Sequence, residues 1–304
     1  MLRMGKVIFS KVKRAPSFFK MANVMWKNPE EPFIFDSSRG NIPSATEAVL
    51  PYPGAAIKPS RVIDVETTTS RFHHLFTSLN DAVLHIQEKT KLREPISGLT
   101  HCLGALLALY GLALLVSETT HPVRSWHLAT FSVFGISMIL LYTVSTLFHW
   151  LPVSKRRILQ FRKLDHIMIF VFIAATYTPF CLIPFRGAFG WSVFLCIWII
   201  AALGTIFKLY WIHVSKRLCL SIYLFAGFFS IVAISHIFRI LQPWAIVWLA
   251  AGGLSYTIGA VFYALEKSDD QPPLFGYHEL FHLFVMLGST AHFWVIFRYI
   301  NLFN

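Results

Sequence analysis

Seven apolar stretches dominate this chain, at about 98–117, 127–149, 164–184, 189–208, 219–238, 244–265 and 279–299. Each is about 20 residues long, enough for a helix to cross a hydrocarbon core of roughly 30 Å. Runs such as Leu103 to Leu109 show no alternation of apolar and polar residues, which a membrane β-strand requires. Helices satisfy their own backbone hydrogen bonds in lipid, so the sequence predicts an all-α fold, a seven-transmembrane helical bundle. With 55% hydrophobic and only 14% charged residues, the chain is too apolar for an ordinary soluble domain.

The net charge of +12 raises nucleic acid as a partner, and the distribution of charge argues against it. Lys155, Arg156, Arg157, Arg162 and Lys163 lie between the second and third stretches, and Lys208, Lys216 and Arg217 between the fourth and fifth. The opposite loops carry little more than Arg124, Arg186 and Arg239. By the positive-inside rule the basic loops are cytoplasmic, which puts the N-terminus inside and the C-terminus outside a cell membrane. Cys102, Cys181, Cys196 and Cys219 fall in or beside apolar spans without C-x-x-C spacing and read as small buried side chains.

Three regions follow. Residues 1–70 form a basic cytoplasmic extension, largely disordered, whose first 20 residues contain no acid and suit attraction to anionic lipid or an organelle-targeting role. Six prolines and two glycines between residues 28 and 60 make an extended linker. Residues 71–93 read as a juxtamembrane amphipathic helix, because Phe72, Leu75, Phe76, Leu79, Val83 and Ile86 recur at three- and four-residue steps. That face fits the membrane interface or the end of the bundle equally well. Residues 94–304 form the transmembrane domain.

Polar residues break the apolar pattern at three stretch ends. Ser145 and His149 close the second stretch, Asp165 opens the third, and His278 and His282 open the seventh. Four crossings, an even number, separate the second end from the seventh start, so all five reach one membrane face. Residues at i and i+4 stand about 40° apart around a helix, so His278 and His282 can face one ion. A catalytic zinc commonly takes three protein ligands and keeps one position for water. His149, His278 and His282 would supply the ligands, Asp165 would hold or deprotonate the water, and Ser145 would donate a hydrogen bond to a ligand or oxyanion. A lone membrane histidine is usually a satisfied inter-helix or interfacial residue, whereas five convergent groups at one level are harder to explain that way. Haem ligation is disfavoured because it uses single histidines from facing helices.

His278-Glu279-Leu-Phe-His282 also fits the H-E-x-x-H pattern of zinc metalloproteases, in which the glutamate is the general base. That reading leaves Asp165 and Ser145 without roles. Glu279 at a helix entrance reads more simply as a solvated side chain, or one favoured by the positive helix N-terminus. His101 is expected beside the site, His166 is rotated about 100° from Asp165, and His292 reads as an inter-helix hydrogen bonder. His236 and Arg239 read as interface residues on the far side.

The Ser145-x-x-x-His149 pair, Asp165 and His278-x-x-x-His282 together resemble the hemolysin III family, related to the progestin and adipoQ receptors and more distantly to alkaline ceramidases. Glu94-Pro-Ile-Ser-Gly-Leu-Thr-His101 resembles the family's opening motif and Phe275 to His282 its closing one. The resemblance covers about 94–300 and leaves residues 1–93 without a counterpart. It implies a seven-helix bundle with a cytoplasmic N-terminus and Zn2+ bound by His149, His278 and His282. It also implies that Asp165 reaches the metal through a water and that Ser145 lies in the site. In related receptors a fatty-acid-like ligand occupies the bundle, and ceramide hydrolysis is ascribed to the zinc site. The family name implies membrane lysis, for which no residue supplies a pore-forming mechanism. The expected function is hydrolysis of a lipid amide or ester, with membrane lipids as partners. The alternative is a non-enzymatic receptor or membrane-perturbing protein with structural zinc.

Overall fold

The computed structural model describes residues 65–120, 122–211, 213–266 and 275–303. The basic arm and the proline-containing linker lie outside the described residues. Among those described the fold is helical and contains no β-strand. Helix α1 (Val65–Thr90) precedes the bundle. The spans follow as α2 (Pro95–Thr120), α3 (Ser125–Trp150), α4 (Lys155–Leu182) and α5 (Ala188–Tyr210). Next come α6 (Lys216–Phe228), a 3₁₀ turn (Phe229–Ala233) and α7 (Ile234–Ile240), then α8 (Pro243–Leu265) and α9 (Tyr277–Arg298). Seven candidate spans result among the described residues, with Lys216–Ile240 forming one of them from three helical pieces.

Local chemistry sets several boundaries. Lys91 adopts φ 58° just after α1, and its amide bonds the Gln87 carbonyl 2.8 Å away, a left-handed cap that turns the chain into α2. Leu151 is extended (φ −70°, ψ 121°) because Pro152 follows it, and this ends α3 one residue after His149. Pro243 opens α8 at a position where its missing N–H leaves no bond unmade. The break within the fifth span also has a visible cause. Tyr177 of α4 donates its hydroxyl to the Gly227 carbonyl (2.5 Å) and accepts from the Ser230 amide (2.8 Å), wedging a side chain into the helical ladder.

In the bundle α2 packs on α3, α3 on α4, α4 on α5, α8 on α9, and α9 back on α2. The Lys216–Ile240 span makes lighter contacts with α4, α5 and α8. The main core joins Phe131, Phe134, Met138 and Tyr142 of α3 to Phe172 of α4 and Val295 and Ile296 of α9. Close approach is bought at α2: a Cβ on Gly104 would stand 3.0 Å from the Tyr142 ring, and one on Gly98 would fall inside the Trp150 indole. Leu99, Leu103, Leu106 and Leu107 on the outer side of α2 are exposed, as are Leu195, Ile199 and Leu203 on α5, the pattern of side chains that face lipid. Leu75, Leu79 and Ile86 of α1 are exposed as well.

One end of the bundle gathers the start of α2, the end of α3, the starts of α4, α6 and α9 and the ends of α5 and α8. Polar contacts define it: Lys163 to the Leu209 carbonyl (2.7 Å), Tyr223 to the His166 carbonyl (3.1 Å), and Lys216 to Glu266 (2.7 Å). At the other end Arg124 bonds the Asn301 carbonyl and the Glu118 carbonyl at 2.5 and 2.6 Å, and His236 stacks on Phe189 at 3.7 Å.

Candidate metal centre

His149 and His282 are buried at 1% and 2% exposure on α3 and α9, and His278 stands one turn before His282 with its side chain 22% exposed. One ring nitrogen from each lies within 4.8 Å of the other two, the spacing of a shared ion. Nε2 of His278 and Nε2 of His149 are 3.3 Å apart. Two nitrogens each roughly 2.0–2.1 Å from one tetrahedral zinc stand about 3.3–3.4 Å apart, so this pair already has the edge length of such a site.

The opposite ring nitrogens decide which atoms are free. Nδ1 of His149 pairs with a carboxylate oxygen of Glu94. Nδ1 of His282 faces two acceptors, the Ser97 carbonyl at 3.2 Å and the Thr100 hydroxyl oxygen at 3.1 Å. Thr100 spends its own proton on that same Ser97 carbonyl, 2.7 Å away, which leaves its oxygen to accept. Nδ1 of His278 lies 3.4 Å from Glu266, within ion-pair range although not aligned as a hydrogen bond. Nδ1 of His149 and Nδ1 of His282 thus face acceptors, the Glu266 carboxylate stands near Nδ1 of His278, and Nε2 of His149 and of His278 point toward one another. Carboxylates and carbonyls behind metal-binding imidazoles fix the tautomer in this way. The donor set thus fits a zinc ion.

The start of α2 is laced to the end of α3 around the site. Arg93 donates to the Phe148 carbonyl at 2.7 Å and to Glu94 at 2.9 Å, the Glu94 amide donates to the His149 carbonyl at 3.1 Å, and the Trp150 indole donates to the Pro95 carbonyl at 3.0 Å. Burial pushes the Glu94 carboxyl up, but the His149 hydrogen bond and the charge of Arg93 outweigh it and hold the group below the usual carboxylate range. Burial likewise acts upward on Glu266, and His278 and Lys216 overcome it and bring that carboxyl down to about 2.

Among the residues singled out in the sequence, the structure brings the three histidines together and places Ser145, 2% exposed, one turn before His149. Asp165 is outside the three-histidine group, and its carboxylate lies 3.5 Å from Nδ1 of His166. His166 turns that nitrogen to the Arg162 carbonyl of its own helix, 2.8 Å away. His101 does sit beside the site, stacked on His282 with ring centroids 3.6 Å apart, and both its nitrogens are buried without partners.

Two expectations need correction. Glu279 is not solvated: it is 3% exposed, accepting from the Ser97 hydroxyl at 2.5 Å and from the Gly276 amide at 2.8 Å. The second of these bonds caps the start of α9, so the helix-terminus reading describes it. His292 bonds the Gly288 carbonyl of its own helix at 2.8 Å and meets its neighbour by stacking on Tyr256, rather than by an inter-helix hydrogen bond.

In the sequence Glu94, Ser97 and Thr100 figure only within the opening motif, Lys216 only as a loop charge, and Glu266 not at all. Glu94, Ser97, Thr100 and His101 fall at three- and four-residue steps at the start of α2, a polar face on an apolar helix that could have been read as site-directed. Glu266 offered no comparable signal.

Comparison with known proteins places the chain. Residues 89–293 match the model of the haemolysin-III related family. The chain belongs to that family. It is 36% identical to hemolysin-3 of Bacillus cereus over 207 residues, covering 68% of this chain and 91% of that protein. The hemolysin-3 homolog of Bacillus subtilis is 33% identical over 207 residues, covering 68% of this chain and 93% of its own length. The human monocyte to macrophage differentiation factor is 31% identical over 209 residues, 66% of this chain and 82% of that protein. With seven apolar helices, this haemolysin-III family member is an integral, multi-pass membrane protein.

Proposed function

We propose that this haemolysin-III family protein binds zinc through His149, His278 and His282 and hydrolyses an amide or ester bond of a membrane lipid. The observation that carries the reading is the convergence of three imidazole nitrogens within 4.8 Å while the opposite nitrogens face acceptors. Zinc in such a site polarises a carbonyl and lowers the pKa of water toward about 7. Asp165, outside the ligand group, would take a proton from water at the site, and the buried Ser145 hydroxyl would donate to the carbonyl oxygen of a substrate. Glu279 is already committed to Ser97 and the Gly276 amide, which favours Asp165 as the base. Apolar spans surrounding the centre suit a substrate that arrives from lipid.

Purified protein incubated with a panel of ceramides, lysolipids and acyl esters tests this reading. Native protein is expected to release fatty acid from at least one class, and Asp165→Asn to retain zinc while turnover falls by roughly 10²–10⁴-fold. Turnover that is unchanged in Asp165→Asn excludes Asp165 as the base. Absence of turnover across the panel, with zinc bound, assigns the metal a structural role in a receptor or membrane-perturbing protein.

A further inference from the structure

The three histidines are not held alike. His149 is fixed by Glu94, and His282 by Ser97 and Thr100, all from the start of α2. His278 makes no hydrogen bond to the start of α2 among the described residues. It opens α9, is the most exposed of the three, and its Nδ1 has no aligned hydrogen-bond partner. Around it stand Tyr263 of α8 and Phe281 of α9, each ring 6.1 Å away, and the Glu266 carboxylate at 3.4 Å. Glu266 is in turn gripped by Lys216, whose ammonium lies 2.7 Å from its other oxygen and 5.2 Å over the Tyr263 ring.

We propose that Glu266 is the positioning residue for His278, turning its Nε2 toward the metal, and that Lys216 fixes Glu266 for this task. The ends of two spans that contribute no ligand thereby set the geometry of the third ligand. The proposal rests on zinc binding by the three histidines. A free imidazole can present either nitrogen, and a carboxylate on Nδ1 selects the tautomer whose Nε2 lone pair is available. Carboxylates in this position typically change metal affinity by about 10–100-fold.

The test measures zinc affinity by chelator competition on full-length protein in lipid nanodiscs, with helical content and thermal unfolding followed by circular dichroism. Glu266→Ala is expected to weaken zinc binding about 10–100-fold with helical content retained. Glu266→Gln, which keeps a neutral acceptor, is expected to fall between it and native. The decisive variant is the charge swap Lys216→Glu with Glu266→Lys. It restores an ion pair between α6 and α8, so native thermal stability is expected. It also places an ammonium, a donor only, against Nδ1 of His278, so zinc binding should stay weak and imidazole-nitrogen NMR should show His278 leaving its single tautomer. Recovery of native zinc affinity in the swap would reduce Glu266 to a structural ion-pair partner and overturn the proposal. Native affinity in both Glu266→Ala and Glu266→Gln, with zinc lost from His278→Ala, overturns it while leaving the three-histidine site intact. Zinc absent from native protein, or fully retained in His278→Ala, overturns both.

Discussion

Among individual residues, the imidazoles and the groups behind them make different demands on the fold. Removal of a ligand empties a coordination position, so His149→Ala and His278→Ala are each expected to lower zinc per chain well below native when purified protein is analysed by mass spectrometry of the metal. Full zinc in both variants would show that these histidines do not bind it. Ser97 tests the packing rather than the metal. Its hydroxyl is the donor to a Glu279 oxygen in a buried setting, and Ser97→Ala leaves that oxygen without the bond. An unsatisfied buried acceptor costs about 1–3 kcal/mol, so thermal unfolding should come at a lower temperature than in native protein. Equal midpoints would mean that another donor reaches Glu279. The three-histidine cluster was legible in the sequence because histidine is rare in apolar spans and the i, i+4 spacing implies a shared face. Glu266 was not legible, since it takes its role from α6 and α9, elements distant in the chain whose approach only the folded bundle reveals.

At the level of the helices, the spans and their order were readable from apolar length alone. The 3₁₀ turn in the Lys216–Ile240 span was not, because nothing at Phe229–Ala233 forbids a helix; the hydroxyl of Tyr177 arrives from another helix. Tyr177→Phe is therefore expected to let amides of this segment regain helical bonds, with slower hydrogen exchange from 227 to 233. Faster exchange there would show that the hydroxyl stabilises the segment rather than breaking it. The α2–α3 seam responds in the opposite sense to added volume. A methyl at Gly98 collides with Trp150, beside the contacts of Arg93 and Glu94 with the end of α3. Gly98→Ala is expected to cost about 1–3 kcal/mol in unfolding and to weaken zinc binding through a displaced His149, while Gly227→Ala, where a Cβ meets nothing within 4 Å, provides the control. A Gly98→Ala protein with native stability and zinc affinity would mean that Trp150 swings aside without disturbing the seam.

For the molecule as a whole, the question is which face of the membrane carries the centre. The structure puts the histidines, Glu94 and Glu266 at the same end as Lys163, Lys208 and Lys216, whereas Arg124, Asn301 and His236 mark the other end. Basic residues in short loops are retained on the cytoplasmic side during insertion, because translocating them is unfavourable. By that rule the excess of lysine and arginine between α3 and α4 and between α5 and α6 predicts a cytoplasmic centre. A reporter fused after Lys163 is expected to read cytoplasmic and one fused after Phe303 to read external, whether or not residues 1–62 are present. The spans carry their own backbone bonds and close on one another through α2 and α9, so insertion should not depend on that leading segment. Deletion of residues 1–62 that preserves both readouts and the zinc content would place the whole metal centre under the control of the bundle. A reversed readout in the intact chain would put the centre on the external face and undo its assignment to the cytoplasm. Loss of insertion only on deletion would show that the leading segment directs the first span.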